Sequence, residues 1–172
     1  MRNIIIGAFA VLAFFLSPVA SAQCDSDFPG VYPAVAACPN GGTRPTACVM
    51  ACKNGYEASW NNDVKPKIED KCGWEDLRTW TERLKAAAED LRTELEYELI
   101  RLEIACYSNE VYCGWAATVR VQIDVLNDLI NSLQNSIDDY STWINDLIGD
   151  IYTAKALNDQ WYVDSMADCC PN

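Results

Sequence analysis

Apolar positions between residues 119 and 154 recur at alternating steps of four and three. Ile123, Ile130, Ile137, Ile144 and Ile151 fall on one heptad position, and Val119, Leu126, Leu133, Tyr140, Leu147 and Ala154 on the other. That is the coiled-coil period, and it predicts a helix of about 54 Å at 1.5 Å rise per residue. Such a stripe needs a partner seam to leave water. Residues 67–106 supply one. Leu77, Thr81, Leu84, Ala88, Leu91, Leu95 and Leu102 keep the same spacing, with Glu98 as the single miss and Leu99 beside it. Glu75/Arg78, Glu82/Lys85, Glu89/Arg92 and Glu98/Arg101 set acids three residues ahead of bases, the spacing of a solvated helix face.

Between the two periodic stretches, Tyr107-Ser108-Asn109-Glu110 breaks the pattern. In one straight helix, Cys106 and Cys113 would sit about 10 Å apart along the axis. A disulfide needs Cα atoms within roughly 7 Å, so pairing them requires the chain to reverse. The prediction is an antiparallel helical hairpin: a helix over about 67–106, a turn over 107–110, and a helix over about 111–168. Gly149 is the weak point of the second helix, and Asn158 the polar intruder in a stripe that runs on to Trp161. Reflecting the first helix about residue 109 sets Cys72 opposite residue 146, so the end of the second helix lacks a partner from the first. Leu129, Trp143 and Ile148 also widen the apolar stripe beyond what a two-stranded seam needs, which calls for a third covering segment or a second copy of the chain.

Residues 23–66 read differently. Five prolines (29, 33, 39, 45 and 66) and four glycines (30, 41, 42 and 55) fall there, whereas no proline occurs from Lys67 to Cys170. Thr46 can cap a short helix ending at Gly55, which places Cys48 and Cys52 on one face, and Asn61-Asn62-Asp63 reads as a turn. The fold class expected is therefore all-α: a coiled-coil-like hairpin with a cysteine-rich, loop-rich N-terminal segment packed on its open end. That packing brings Cys48 and Cys52 near Cys169 and Cys170. Cys72-Gly73-Trp74 and Cys113-Gly114-Trp115 repeat a tripeptide near both helix starts, which reads as a shared helix-start device.

Ahead of all this, Arg2, the apolar run 4–16, Pro18 and Ala20-Ser21-Ala22 have the form of a secretory signal peptide (1–22) cut after Ala22. The expected location is secreted or periplasmic, with no transmembrane anchor. Losing Arg2 takes the net charge from −12 to −13, which disfavours nucleic acid and anionic membrane as partners. An exported chain meets an oxidising compartment, so the nine cysteines (24, 38, 48, 52, 72, 106, 113, 169 and 170) read mostly as disulfides with one left over.

The chain has no histidine, which removes the commonest general base and metal ligand. A catalytic cysteine lacks its usual base, and no CxxC is present. Cys48, Cys52, Cys169 and Cys170 offer four thiolates to a metal, although their spacing is not that of common zinc modules. Asp124, Asp128, Asp138, Asp139, Asp146 and Asp150 form an acidic face without a calcium loop. Glu94, Glu98 and Glu103 offer a carboxylate pair with no cleft to raise a pKa. Trp60, Trp143 and Trp161, with Asp138, Asp139 and Asp146, are the candidate binding surface. The reading is a non-enzymatic binding or structural module without a cofactor. It takes a protein partner or a second copy, a homodimer being left open by the isoleucine seam and the odd cysteine. The alternative is a thiol or metal protein using the four-cysteine cluster.

Overall fold

The computed structural model describes residues 28–171. The proposed leader and Cys24 lie outside the described residues. The described chain is helical without strands: α1 is Thr46–Ser59, followed by a π-helical segment Trp60–Val64, then α2, Lys65–Cys106, and α3, Val111–Asp168. Residues 28–45 precede α1 as irregular chain. α2 and α3 are the antiparallel arms of a helical hairpin, and the disulfide-bearing N-terminal segment packs on its open end. No described helix is long and apolar enough to cross a membrane.

The chain divides into two compact units, one of residues 75–142 and the other, among the described residues, of 28–74 and 143–171. The first contains the turn. Tyr107 and Ser108 close the end of α2 by donating to Ile104 and Ala105 carbonyls. Asn109 then caps α3, its Oδ1 accepting from the Val111 backbone N–H at 3.0 Å. A disulfide joins Cys106 to Cys113 across this turn, with Cα atoms 4.8 Å apart. Behind it, Ala88, Leu126 and Ile130 are buried together with Leu91, Leu95 and Leu129 against them. Leu129, which the sequence left in want of a separate cover, thus packs inside the hairpin.

The seam of α2 departs from the heptad reading at its start. Leu77 is exposed, whereas Thr81 is buried and donates its hydroxyl to the Leu77 carbonyl at 2.8 Å. The charged face is also re-paired. Glu98 meets Arg101 as expected, but Arg78, Lys85 and Arg92 reach forward to Glu82, Glu89 and Glu96. These exposed pairs contribute little each.

In the second unit the observed helices overrun four expectations. Thr46 is the first residue of α1 rather than its cap; Pro45 holds the cap position with no side-chain hydrogen bond. α1 does not stop at Gly55. Residues 61–63 are not a turn but lie in the π-helical segment, and α2 opens at Lys65, before Pro66. The reason is Pro66. In a regular helix its ring would collide with the carbonyl four residues back, at Asn62. The helix takes in one extra residue instead, and the Lys65 N–H bonds to the Trp60 carbonyl, five residues back. Cys72-Gly73-Trp74 is correspondingly inside α2, not at a helix start, while Cys113-Gly114-Trp115 does open α3.

α3 is continuous through Gly149, whose Cα faces open space. Val64, Ile68 and Ile151 are fully or almost fully buried together under Phe28. Phe28 meets Tyr152 edge-on at 5.5 Å, and the buried Lys71 sets its ammonium over the Phe28 ring. Phe28, and Tyr32 and Val35 beyond it, thus cover the helices of this unit, whereas Trp143 of the widened stripe packs on Trp74.

Candidate functional site

The second unit gathers chemistry where α1 meets the end of α3. Cys48, Cys52 and Tyr56 follow one another at steps of four along α1, on one face. Asn158, Tyr162 and Met166 do the same along α3, and Cys169, three residues on, follows just past its end. Cys52, Tyr56, Tyr162, Met166 and Cys169 are buried as one cluster, with Tyr32, Val35, Val49 and Trp60 against it. The stripe of α3 thus passes through Asn158 and Tyr162. Trp161, where the sequence reading ended the stripe, is instead 46% exposed. Its indole lies across Gly55, where a Cβ would come within 2.3 Å of the ring. Gly55 is therefore a notch for Trp161 rather than a helix stop.

Disulfides fasten this end twice. Cys48 is bonded to Cys169 and Cys38 to Cys170, so the adjacent pair takes two different partners. Cys72 is also disulfide-bonded. Cys52 is the free thiol among the described residues; it is 7% exposed, and its Sγ lies 3.5 Å from that of Cys169. The Cys48, Cys52 and Cys169 sulfurs lie within 4.8 Å of one another. Two of them are spent on a covalent bond, and Cys170 is bound elsewhere. The four-thiolate set of the metal reading is therefore not presented while the bridges stand.

The tyrosines form the centre. The ring of Tyr56 lies 5.2 Å from those of Tyr32 and Tyr162, and Tyr32 lies 5.4 Å from Tyr162. Tyr56 is 1% exposed, and its hydroxyl is within reach of Asp159 Oδ1 at 2.9 Å and of the Val31 carbonyl at 3.2 Å. Burial above all, then the hydrogen bond to Asp159, pushes this phenol far above its ordinary value of 10. Tyr32 is raised chiefly by the hydrogen bond its hydroxyl donates to Glu57, and Tyr162 by burial, with nearby Arg44 acting the other way. All three stay protonated, so they act as donors and rings, not as bases. Asp159 is held in turn by Lys155 at 2.5 Å.

Arg44 closes the base. α3 has no basic residue in its last turn, and Arg44 arrives from the loop to donate to the Met166 carbonyl at 2.7 Å and the Ala36 carbonyl at 2.6 Å. A cation on the exposed carbonyls of a helix end satisfies both its hydrogen-bonding and its dipole. Beside it lies an open groove of about 480 Å³ lined by Val35, Pro39, Arg44, Val163, Ala167 and Pro171 among others.

Of the candidate surface residues, Trp60 is half-buried, stacked on Tyr56 and lying against Gly30. Trp143 is partly exposed and meets Trp74 at 4.6 Å. Asp146 is exposed on the same unit. Asp138 and Asp139 belong to the other unit, where Asp138 accepts from Gln134. The six do not form one patch of a single unit. Sequence reasoning missed Tyr32, Tyr56, Tyr162 and Arg44. The step-of-four run Cys48-Cys52-Tyr56 carried the signal for Tyr56, and the heptad continued past Asn158 carried it for Tyr162. Nothing in the irregular segment marks Tyr32 or Arg44. Compared with protein-family models, with curated proteins and with solved structures, the chain matches none.

Proposed function

We propose that this disulfide-stabilised helical protein is an exported, non-catalytic binding or structural module. The observation that carries this reading is how the reactive groups of the open end are used. Cys48, Cys169, Cys38 and Cys170 are bonded to one another, Tyr56 and Asp159 bind each other, and Arg44 seals a helix end. Groups so committed hold two helices in register; a catalytic constellation keeps a nucleophile or base free toward a cleft. What remains for partners is surface. Trp161 and Trp143 project from this unit, and Tyr97, Ile100, Ile104 and Tyr107 stand exposed at helical spacing on the other. Exposed aromatic and aliphatic side chains of this kind are what a protein partner buries. Net negative charge turns nucleic acid away.

The thiol-or-metal reading is favoured by the sulfur cluster, and a thiol count separates the two. Exported protein unfolded in guanidinium without reductant is expected to titrate one thiol with a chromogenic disulfide reagent. Four or more would overturn the module reading. N-terminal sequencing of the same material is expected to begin at Gln23; an intact leader would refute the export step.

A further inference from the structure

A free thiol beside a disulfide is a reactant beside its substrate. Cys52 and Cys48 stand one helical turn apart on α1, both turned to Cys169, and the Cys52 sulfur lies 3.5 Å from the Cys169 sulfur. We propose that these three cysteines exchange partners, so that Cys48, not Cys52, becomes the thiol this protein presents for covalent modification.

The step is a thiol–disulfide interchange. Cys52 loses its proton to solvent, and its sulfur attacks Cys169 Sγ. The Cys52–Cys169 bond forms as the Cys48–Cys169 bond breaks; the bonding pair leaves on Cys48, which is then protonated. One bond replaces another, and no oxidant or reductant is consumed. Once freed, a Cys48 thiolate can open a small disulfide RSSR, forming Cys48–S–SR and releasing RS⁻.

Three observations support this course. First, the closed loop barely changes, because the bridge spans 121 residues in one isomer and 117 in the other. Loop-closure entropy, which varies with the logarithm of loop length, therefore does not decide between them. Second, the two possible leaving groups differ. Cys48 sits in the first turn of α1, where the helix N-terminus favours a negative sulfur. Cys169 follows the last residue of α3, Asp168, at a negative helix end that disfavours one. Attack at Cys169, expelling Cys48, is thus the favoured direction, and the Cys52 sulfur stands 3.5 Å from that of Cys169. Third, exchange moves the thiol outward, from buried Cys52 to half-buried Cys48.

The test is differential alkylation of exported protein. Native protein without reductant is incubated with light N-ethylmaleimide, then unfolded, reduced and treated with heavy reagent. Cyanogen bromide cleavage after Met50 separates Cys48 from Cys52. Most of the light label is expected on Cys48, with Cys52 carrying heavy label. Light label on Cys52 alone, or on neither cysteine, overturns the proposal. The variant Cys52→Ser keeps the Cys48–Cys169 bridge and is expected to lose light labelling at Cys48. If Cys48 is still labelled in that variant, the label comes from incomplete bridging and the proposal fails. The thiol count remains one in either isomer, so this result is independent of the module reading.

Discussion

Asn158 sits in the seam of α3 where the heptad calls for an apolar side chain, and it is 3% exposed. Its Nδ2 donates to the Tyr56 carbonyl at 3.3 Å, while its Oδ1 has no hydrogen-bond partner. Leucine has nearly the same shape, so Asn158→Leu changes chemistry without opening a cavity. Leaving a buried acceptor unmet costs about 1–3 kcal/mol, and a long neutral hydrogen bond returns about 0.5–1 kcal/mol. The Tyr56 carbonyl does not become an orphan in the variant, because it also accepts from the Trp60 N–H. Burial of the leucine side chain adds about 1.5 kcal/mol or more. The net expectation is a gain of about 1.5–4 kcal/mol. For a chain of this size each kcal/mol raises the melting temperature by about 2–4 °C, so the shift should be about 3 °C or more. Guanidinium unfolding with the disulfides intact should show a higher midpoint and an unchanged slope. A variant that melts at or below the parent temperature would refute the reasoning. It would show that Oδ1 is satisfied in solution and that the polar seam residue is a net stabiliser.

Two glycines inside helices should respond to alanine with opposite sign. Gly149→Ala, with nothing within 4 Å, is expected to gain about 0.5–1 kcal/mol, whereas Gly55→Ala drives a methyl into the Trp161 ring and should lose stability in the same urea titration. Alkaline pH should unfold the protein from the tyrosine cluster. Tyr56 keeps its proton when folded but releases it near pH 10 when unfolded, so stability is whole below pH 10 and falls above it, by up to about 1.4 kcal/mol per pH unit from this residue. Stability measured from pH 9 to 11 should fall less steeply in Tyr56→Phe. The two bridges at the open end should be non-additive. With Cys48–Cys169 closed, the Cys38–Cys170 bridge constrains only a loop of about a dozen residues, worth about 3 kcal/mol. With that bridge gone it closes 132 residues and is worth about 5 kcal/mol, which a double-mutant cycle of cysteine-to-serine pairs can read.

What could be read from the sequence was whatever a one-dimensional period encodes. The isoleucines at 130, 137, 144 and 151 are all buried, because a helix that meets a partner over many turns leaves its repeat in the residue order. The reversal after Cys106 was legible because disulfide reach is a distance and a straight helix violates it. The open end was legible only as a need: the tail of α3 required cover, and α1 with residues 28–45 supplies it. The identity of the covering side chains was not. Tyr32 and Arg44 come from irregular chain, where position depends on neighbours rather than on period.

Pro66 shows how local and tertiary preferences were settled against each other. A proline with a Gly-rich, cysteine-rich stretch before it reads locally as a boundary, and the local rule is sound. It is overridden here, where the helix runs on through a π-helical segment and the Lys65 N–H finds the Trp60 carbonyl. The π-helical segment absorbs the proline with one extra residue, and Cys48, Cys52 and Tyr56 remain in line with Cys169, Tyr162 and Asn158. The same alignment sets two cysteines of α1, not one, within reach of Cys169. The cysteine left over by counting is thus the neighbour of the bridge it is placed to attack.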